Sequence, residues 1–257
     1  MATQRYEEDN EMFEAKQYEG IVFISLKEVP LLWMSSLEKK EELLCYLDRI
    51  ECAPAIKALV LHEPNRSLSQ DRYFELHDWW TKSKIDPDAV QRICRALDQF
   101  MLRIVDSDKF YISAQSGKVV LPFFTSSFAC DYRIVADNLV VQNPAPKVGL
   151  IPKGAGAFFL TRMLGPAKAE EILLSSEDIK AYELLRLKLV NKVVPFNKLR
   201  SSALETARKF SGKSGTSLAG VKRLVNHSLK DLKDYLGFEN EQLTQILNVM
   251  KPKNKPV

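Results

Sequence analysis

The 257-residue sequence predicts an α/β fold, and three observations carry that expectation. Short apolar runs rich in strand-forming residues recur at Ile21 to Leu26, Ala58 to Leu61, Phe110 to Ala114 and Val190 to Val194. Between them lie stretches with helical periodicity, the clearest formed by Val90, Ile93, Leu97, Phe100, Met101 and Ile104. Apolar residues make up 46% of the chain, enough for a substantial core in one large domain or two small ones.

Taken in order, the polar and acidic start, Met1 to Asn10, has no apolar run of the kind a signal peptide needs. Phe13 to Tyr18 and Ile21 to Leu26 flank Glu19-Gly20 and predict a hairpin. Ser35-x-x-Glu38 is a capping-box pattern. Behind it, Leu37, Leu43, Leu44, Leu47 and Ile50 form one helical face, which Ala53-Pro54 ends. After the strand at Ala58, the segment from His62 to Pro87 holds His62, His77, Trp79 and Trp80. It reads either as a re-sequenced surface loop with packed tryptophans or as a new acid–base set, His77 with Asp71 or Asp78. Phe110 to Ala114 is a strand leading to Gly117, and a short helix is expected from about Phe123 to Ala129. A helix through Phe158, Phe159, Leu160 and Met163 ends at Gly165, and short helices run on to Lys188. From Asn197 the chain is helical, with a break at Ser211 to Gly215 and amphipathic helices over Ser217 to Leu229 and Asp231 to about Met250. No internal repeat or low-complexity linker interrupts this order.

Composition narrows the function classes. The net charge of +4 is mild, and the basic tail from Lys251 to Lys255 reads as a solvated end, so neither a nucleic-acid nor a membrane role is expected. No apolar run approaches the roughly 20 residues of a membrane span. Cys45, Cys52, Cys94 and Cys130 lack metal-ligand or redox spacing and fit reduced thiols in a cytoplasm. Gly154-Ala155-Gly156 and the Gly-Lys-Ser within Ser211 to Gly215 each lack the rest of a phosphate-loop signature. No metal and no cofactor are expected.

One stretch is more specific than the rest. Cys130-Asp131, Arg133-Ile134-Val135-Ala136, Pro144, Gly149-Leu150-Ile151-Pro152 and Leu160 to Gly165 follow one another at fixed spacing. Ala169 to Leu174 and Leu189 to Pro195 continue the pattern. In these residues the sequence resembles the crotonase family, the enoyl-CoA hydratase/isomerase superfamily. The resemblance is specific from Gly117 to Pro195 and weak before Gly117. It implies an α/β spiral of repeated ββα units with a helical extension, divided into a core at 1–196 and a C-terminal helical trimerisation region at 197–257.

The resemblance also implies a chemistry. Two backbone N–H groups hold a thioester oxygen on which negative charge develops, and two glutamates move protons. Counting back from Cys130-Asp131, Pro122 falls on a glycine that donates one N–H, and proline has none. The other donor falls near Gln70, in Leu68 to Tyr73, where no glycine stands. Thr125 and Ala145 occupy the two glutamate positions, and neither titrates near neutral pH. Ser126, on the same short helix, reads either as a nucleophile or as a packing residue. Lys222 and Arg223 are candidates for the phosphates of CoA, or else part of a solvated helix face.

The expected function is therefore that of a non-catalytic or auxiliary family member, binding a partner or an acyl-CoA or acyl-carrier-protein thioester without hydrating it. The alternative is a lyase, isomerase or thioesterase with relocated catalytic residues. The implied assembly is a homotrimer, a hexamer of two trimers, or a hetero-assembly with an active crotonase. The apolar rows Leu218, Val221, Leu224, Val225 and Leu229, and Leu232, Tyr235, Leu236, Leu243, Ile246 and Leu247, would supply the surface.

Overall fold

A computed structural model describes residues 6–27, 37–63, 69–82 and 87–250. Ser35 of the expected capping box and the basic tail lie outside these residues, as do the side chains of Trp79 and Trp80.

The chain opens with β1 (Glu8–Asp9), β2 (Phe13–Tyr18) and β3 (Ile21–Leu26). The hairpin forms with the expected bounds: Tyr18 pairs with Ile21, and Glu19 turns the corner at a φ of 54°. Helix α1 (Leu37–Glu51) leads to β4 (Ala58–Glu63). Helices α2 (Gln70–Lys82) and α3 (Pro87–Asp106) follow, then β5 (Phe110–Gln115) and β6 (Lys118–Val120). Proline suits the opening of α3 because its fixed φ is already helical and its missing N–H costs no bond there.

Next come α4 (Leu121–Ser126), continued by a 3-10 turn at Ser127–Ala129, and then β7 (Tyr132–Ala136) and β8 (Val140–Gln142). A second 3-10 turn (Ala145–Val148) leads through Gly149 to α5 (Gly156–Leu164) and α6 (Pro166–Leu174). β9 (Ile179–Lys180), α7 (Ala181–Arg186) and β10 (Lys192–Val194) complete the strands. The chain then turns into α8 (Leu199–Ser211), α9 (Gly215–Asn226) and α10 (Leu232–Met250).

Seven strands form one mixed sheet in the order β1-β2-β3-β4-β5-β7-β10, and β6-β8-β9 form a smaller one. From β3 onward the large sheet is parallel, with Ala58 beside Ile21, Phe110 beside Ala58 and Tyr132 beside Ile112. Parallel strands are covered on both faces, so they read as near-continuous apolar runs, as Ala58 to Leu61 does.

One face of the large sheet carries Phe23, Val60, Ile112, Ala114 and Ile134, and α8 seals it with Leu199, Ala203, Leu204 and Ala207. The other face carries Val22, Ile24, Leu59, Leu61 and Tyr111 under α1, α3 and α4. Each fully buried side chain of this size contributes about 1.5–3 kcal/mol.

The two last helices use their apolar residues in opposite ways. α10 turns Leu232, Leu236 and Leu243 inward. α9 instead buries Ala219 and Lys222 and leaves Val221, Leu224 and Val225 exposed. No described helix is long and apolar enough to cross a membrane.

Candidate active site

The positions that the resemblance marks gather at the C-terminal edge of the parallel strands. α2 begins beyond β4, and β5 leads through the Gly117 turn and β6 into α4. α4 starts at Leu121, two residues before the helix expected from the sequence, and the reason is Pro122. A proline in the first helical turn keeps its helical φ and loses no intrahelical bond. It also leaves that turn one amide short.

Gln70 begins α2, and its N–H is already engaged: it donates to Gln142 Oε1 at 3.1 Å. Gln142 is itself buried, and its amide reaches toward Asp178 at 3.4 and 3.5 Å. The Gln70 side-chain oxygen accepts from Lys147 Nζ at 2.9 Å.

Thr125 is fully buried. Its hydroxyl donates back into its own helix, 3.0 Å from Leu121 O and 3.3 Å from Pro122 O. Ser126 and Ser127 do the same to Phe123 O and Phe124 O, at 2.8 and 2.6 Å. Such back-bonding is ordinary for small hydroxyl residues on a helix. Ser126 therefore stands as a packing residue, with its hydroxyl committed to the main chain.

The chain before α5 presses on this turn. Gly154 has a φ of 81°, and a Cβ there would lie 2.1 Å from Pro122 O. Only glycine permits that approach. Ala145, also fully buried, packs with Cys94, Leu150 and Leu243, and Tyr73 leans on the same group.

A charged cluster adjoins these residues, and sequence reasoning missed it. Lys153 Nζ donates to Asp98 Oδ1 at 3.0 Å and to Glu239 Oε2 at 2.8 Å. Asn240 Nδ2 donates to the other Asp98 oxygen at 2.7 Å. All three charged residues are buried, and the main-chain oxygen of Lys153 lies 3.5 Å from Thr125 Oγ1. Burial pushes the Asp98 and Glu239 carboxyls above their ordinary range, against the pull of Lys153. Burial also works against the Lys153 charge, but the two carboxylates outweigh it and hold its pKa above the usual lysine value. A signal existed: each acid interrupts an apolar helical row, Cys94-Asp98-Met101 on α3 and Leu236-Glu239-Leu243 on α10. Charged residues rarely enter such rows unless paired.

Glu63, at the end of β4, was also passed over. Its carboxylate accepts from Gln115 Nε2 at 2.8 Å, and that amide lies 3.4 Å from Phe123 O. Burial pushes this carboxyl up to about 7, with the Gln115 bond as the opposing influence.

The other sequence candidates lie apart from this edge or from one another. Asp71 and His77 share α2 but stand six residues apart, a spacing at which helical side chains do not meet. His77 Nδ1 is 3.9 Å from Asp78 Oδ1, beyond hydrogen-bond range. Lys222 is buried, with its Nζ 2.8 Å from Lys109 O and 2.9 Å from Asp131 Oδ2. It is an internal ion pair, not the surface cation expected for a phosphate. The reason is Asp131, which also accepts from the Tyr111 N–H at 2.7 Å and so draws α9 onto the start of β5. Arg223 is exposed but already faces Asp108 at 3.1 Å. Both cations sit at the N-terminal ends of β5 and β7, across the sheet from Gln70 and Pro122.

Comparison with known proteins places this geometry in context. The profile of the enoyl-CoA hydratase/isomerase family matches residues 17–254. A short-chain-enoyl-CoA hydratase of Clostridium acetobutylicum is 30% identical over 135 residues, which are 52% of each chain. A carnitinyl-CoA dehydratase of Citrobacter koseri is 32% identical over 124 residues, 48% of each. These matches thus span about half the length of those relatives. Among solved structures, an enoyl-CoA hydratase from Bacillus halodurans superposes with a TM-score of 0.76 at 19% identity, covering 91% of this chain and 94% of that one. Pseudomonas aeruginosa DspI superposes at 0.74 with 21% identity, covering 94% and 98%. At such identities the likeness concerns the fold.

Proposed function

The chain belongs to the enoyl-CoA hydratase/isomerase family, and from that premise we propose that it is a non-catalytic or auxiliary member of acyl-thioester metabolism. It would engage an acyl-CoA or acyl-carrier-protein thioester, or an active relative, without hydrating the thioester. The observation that carries this reading is the pair of amides. Pro122 has no N–H to give, and the N–H of Gln70 is held by Gln142. Removing one donor of this kind costs about 2.7–4 kcal/mol of barrier lowering. Buried Thr125 and Ala145 add no acid or base.

The experiment is to restore the glutamates alone. The Thr125→Glu/Ala145→Glu double variant is expected to give no crotonyl-CoA hydration, because Pro122 still lacks its amide. Recovered turnover, with Leu121 to Phe123 untouched, would overturn the reading. Native mass spectrometry with and without crotonyl-CoA reads thioester binding in the same preparation.

The proposal includes assembly as a trimer, or a hexamer of two trimers, alone or with an active relative. Its support is the outward row of α9, where Leu224 is 79% exposed and Val221 62%. The division into a core at 1–196 and a helical region at 197–257 belongs to the same proposal, with α8 of that region seated on the core sheet.

One observation favours the alternative of relocated chemistry: Glu63 holds a carboxyl poised near neutrality beside the α4 turn. If thioester cleavage or isomerisation is found, Glu63→Gln should abolish it, and full retention would exclude Glu63 from the chemistry.

A further inference from the structure

The first intrahelical bond at the start of α2 runs from the Tyr73 N–H to Ser69 O at 3.1 Å. Amides of a first helical turn have no partner within the helix, so that of Gln70 needs one from elsewhere. It takes the side-chain oxygen of Gln142 at 3.1 Å, 72 residues along the chain. Gln142 ends β8, where its main chain pairs with Val120, just before the α4 turn. Its carboxamide therefore reaches from beside that turn to the start of α2, and it is buried there.

The two ends of that carboxamide are held unequally. Its oxygen makes a bond of ordinary length, whereas its Nε2 lies 3.4 and 3.5 Å from the oxygens of exposed Asp178, longer than a usual N–H to O bond. Swinging the side chain aside therefore breaks one normal hydrogen bond. A net bond of this kind shifts an equilibrium by up to about tenfold. The oxygen in that bond is a carbonyl oxygen, the same class of acceptor as the carbonyl of an acyl group. A ligand that competes for the Gln70 N–H binds more weakly by the fraction of molecules in which Gln142 is seated.

We propose that the Gln142 side chain is a displaceable internal plug, which occupies the Gln70 N–H in place of an acyl carbonyl and gives way when one binds. The inference rests on the reading that the protein engages an acyl thioester. It adds that the Gln70 amide is closed off and not lost, and that Gln142 sets how tightly a carbonyl-bearing ligand is held. Because Pro122 has no N–H, the freed amide holds the ligand oxygen by a single bond, which suits retention without hydration.

Calorimetry on the full chain tests this with two probes, crotonyl-CoA and S-butyl-CoA, a thioether that has no carbonyl. Gln142→Ala removes the plug. Gln142→Asn keeps a buried amide but draws it back by one methylene, and it serves if the alanine variant folds poorly. In either variant crotonyl-CoA should bind about tenfold more tightly than to the unaltered chain, with S-butyl-CoA unchanged. Amide hydrogen exchange should show Gln70 losing protection in the variant and regaining it with crotonyl-CoA but not with S-butyl-CoA. Unchanged crotonyl-CoA affinity in both variants, no binding at all included, would overturn the proposal. So would an equal gain for S-butyl-CoA, since the substitution would then only make room. Hydration of crotonyl-CoA by a variant would uphold the plug and sink the non-catalytic reading.

Discussion

Pro122 and Cys130 stand at the two ends of one short helical segment, and the surroundings of the two ends differ sharply. At the Pro122 end the hydroxyl of Thr125 and the N–H of Gln70 are both taken up from within the chain. Thr125 bonds to its own helix, Gln70 is held by Gln142, and Gly154 packs against the proline oxygen. Behind them, Lys153 ties α3 to α10 through two carboxylates. At the Cys130 end, Asp131 and Lys222 fasten α9 to the sheet but leave an open groove beside it. The segment has kept the family's fold signature at its closing end, Cys130-Asp131, where the residues hold elements together. Its opening end carries Pro122 and Thr125 instead, enclosed by the chain around them.

The largest way to disturb that contrast is Lys153→Met. It would leave Asp98 and Glu239 buried with no cation, and breaking such a pair costs about 3–5 kcal/mol. Urea unfolding at neutral pH should show a loss of that size, shrinking in acid as the carboxyls take protons. A loss under about 1 kcal/mol would mean that the cluster does not close the Pro122 end.

A smaller effect concerns pH. Folded Glu63 keeps its proton up to about 7, whereas the unfolded chain releases it near the ordinary glutamate value of about 4.3. The folded state therefore binds more protons between those values. The stabilisation is complete below the unfolded value and is lost as pH rises through about 7. Glu63→Gln should flatten this part of the stability profile, and an unchanged slope would assign the decline to other groups. Smallest is Arg223→Ala at the Cys130 end. Its exposed pair with Asp108 contributes at most about 1 kcal/mol, so the urea midpoint should barely move.

Much of the fold was legible in the sequence because it is written locally. The hairpin follows from two apolar runs around Glu19-Gly20, and the parallel strands from short runs between helical patterns. The positions that the resemblance marks came only from counting back from Cys130-Asp131. Less visible was what surrounds them. Lys153, Asp98 and Glu239 come from three distant elements, so no local periodicity joins them. Pro122 was legible as a residue without an N–H and not as the one that starts α4 early. The apolar row on α9 was plain, but not what turns it outward. That depends on Lys222 finding Asp131 and Lys109 O inside the molecule, which turns Val221, Leu224 and Val225 outward.

The central claim is that the Pro122 end no longer supports hydration, and the direct measurement is crotonyl-CoA hydration by the unaltered chain beside a genuine hydratase at equal concentration. The loss of general acid–base residues alone is expected to cost about 10²–10⁴-fold, and the loss of an oxyanion donor a further 10²–10³-fold or so. The account predicts no turnover above the buffer rate. Turnover within about tenfold of the hydratase, some 1.4 kcal/mol in barrier, would contradict it.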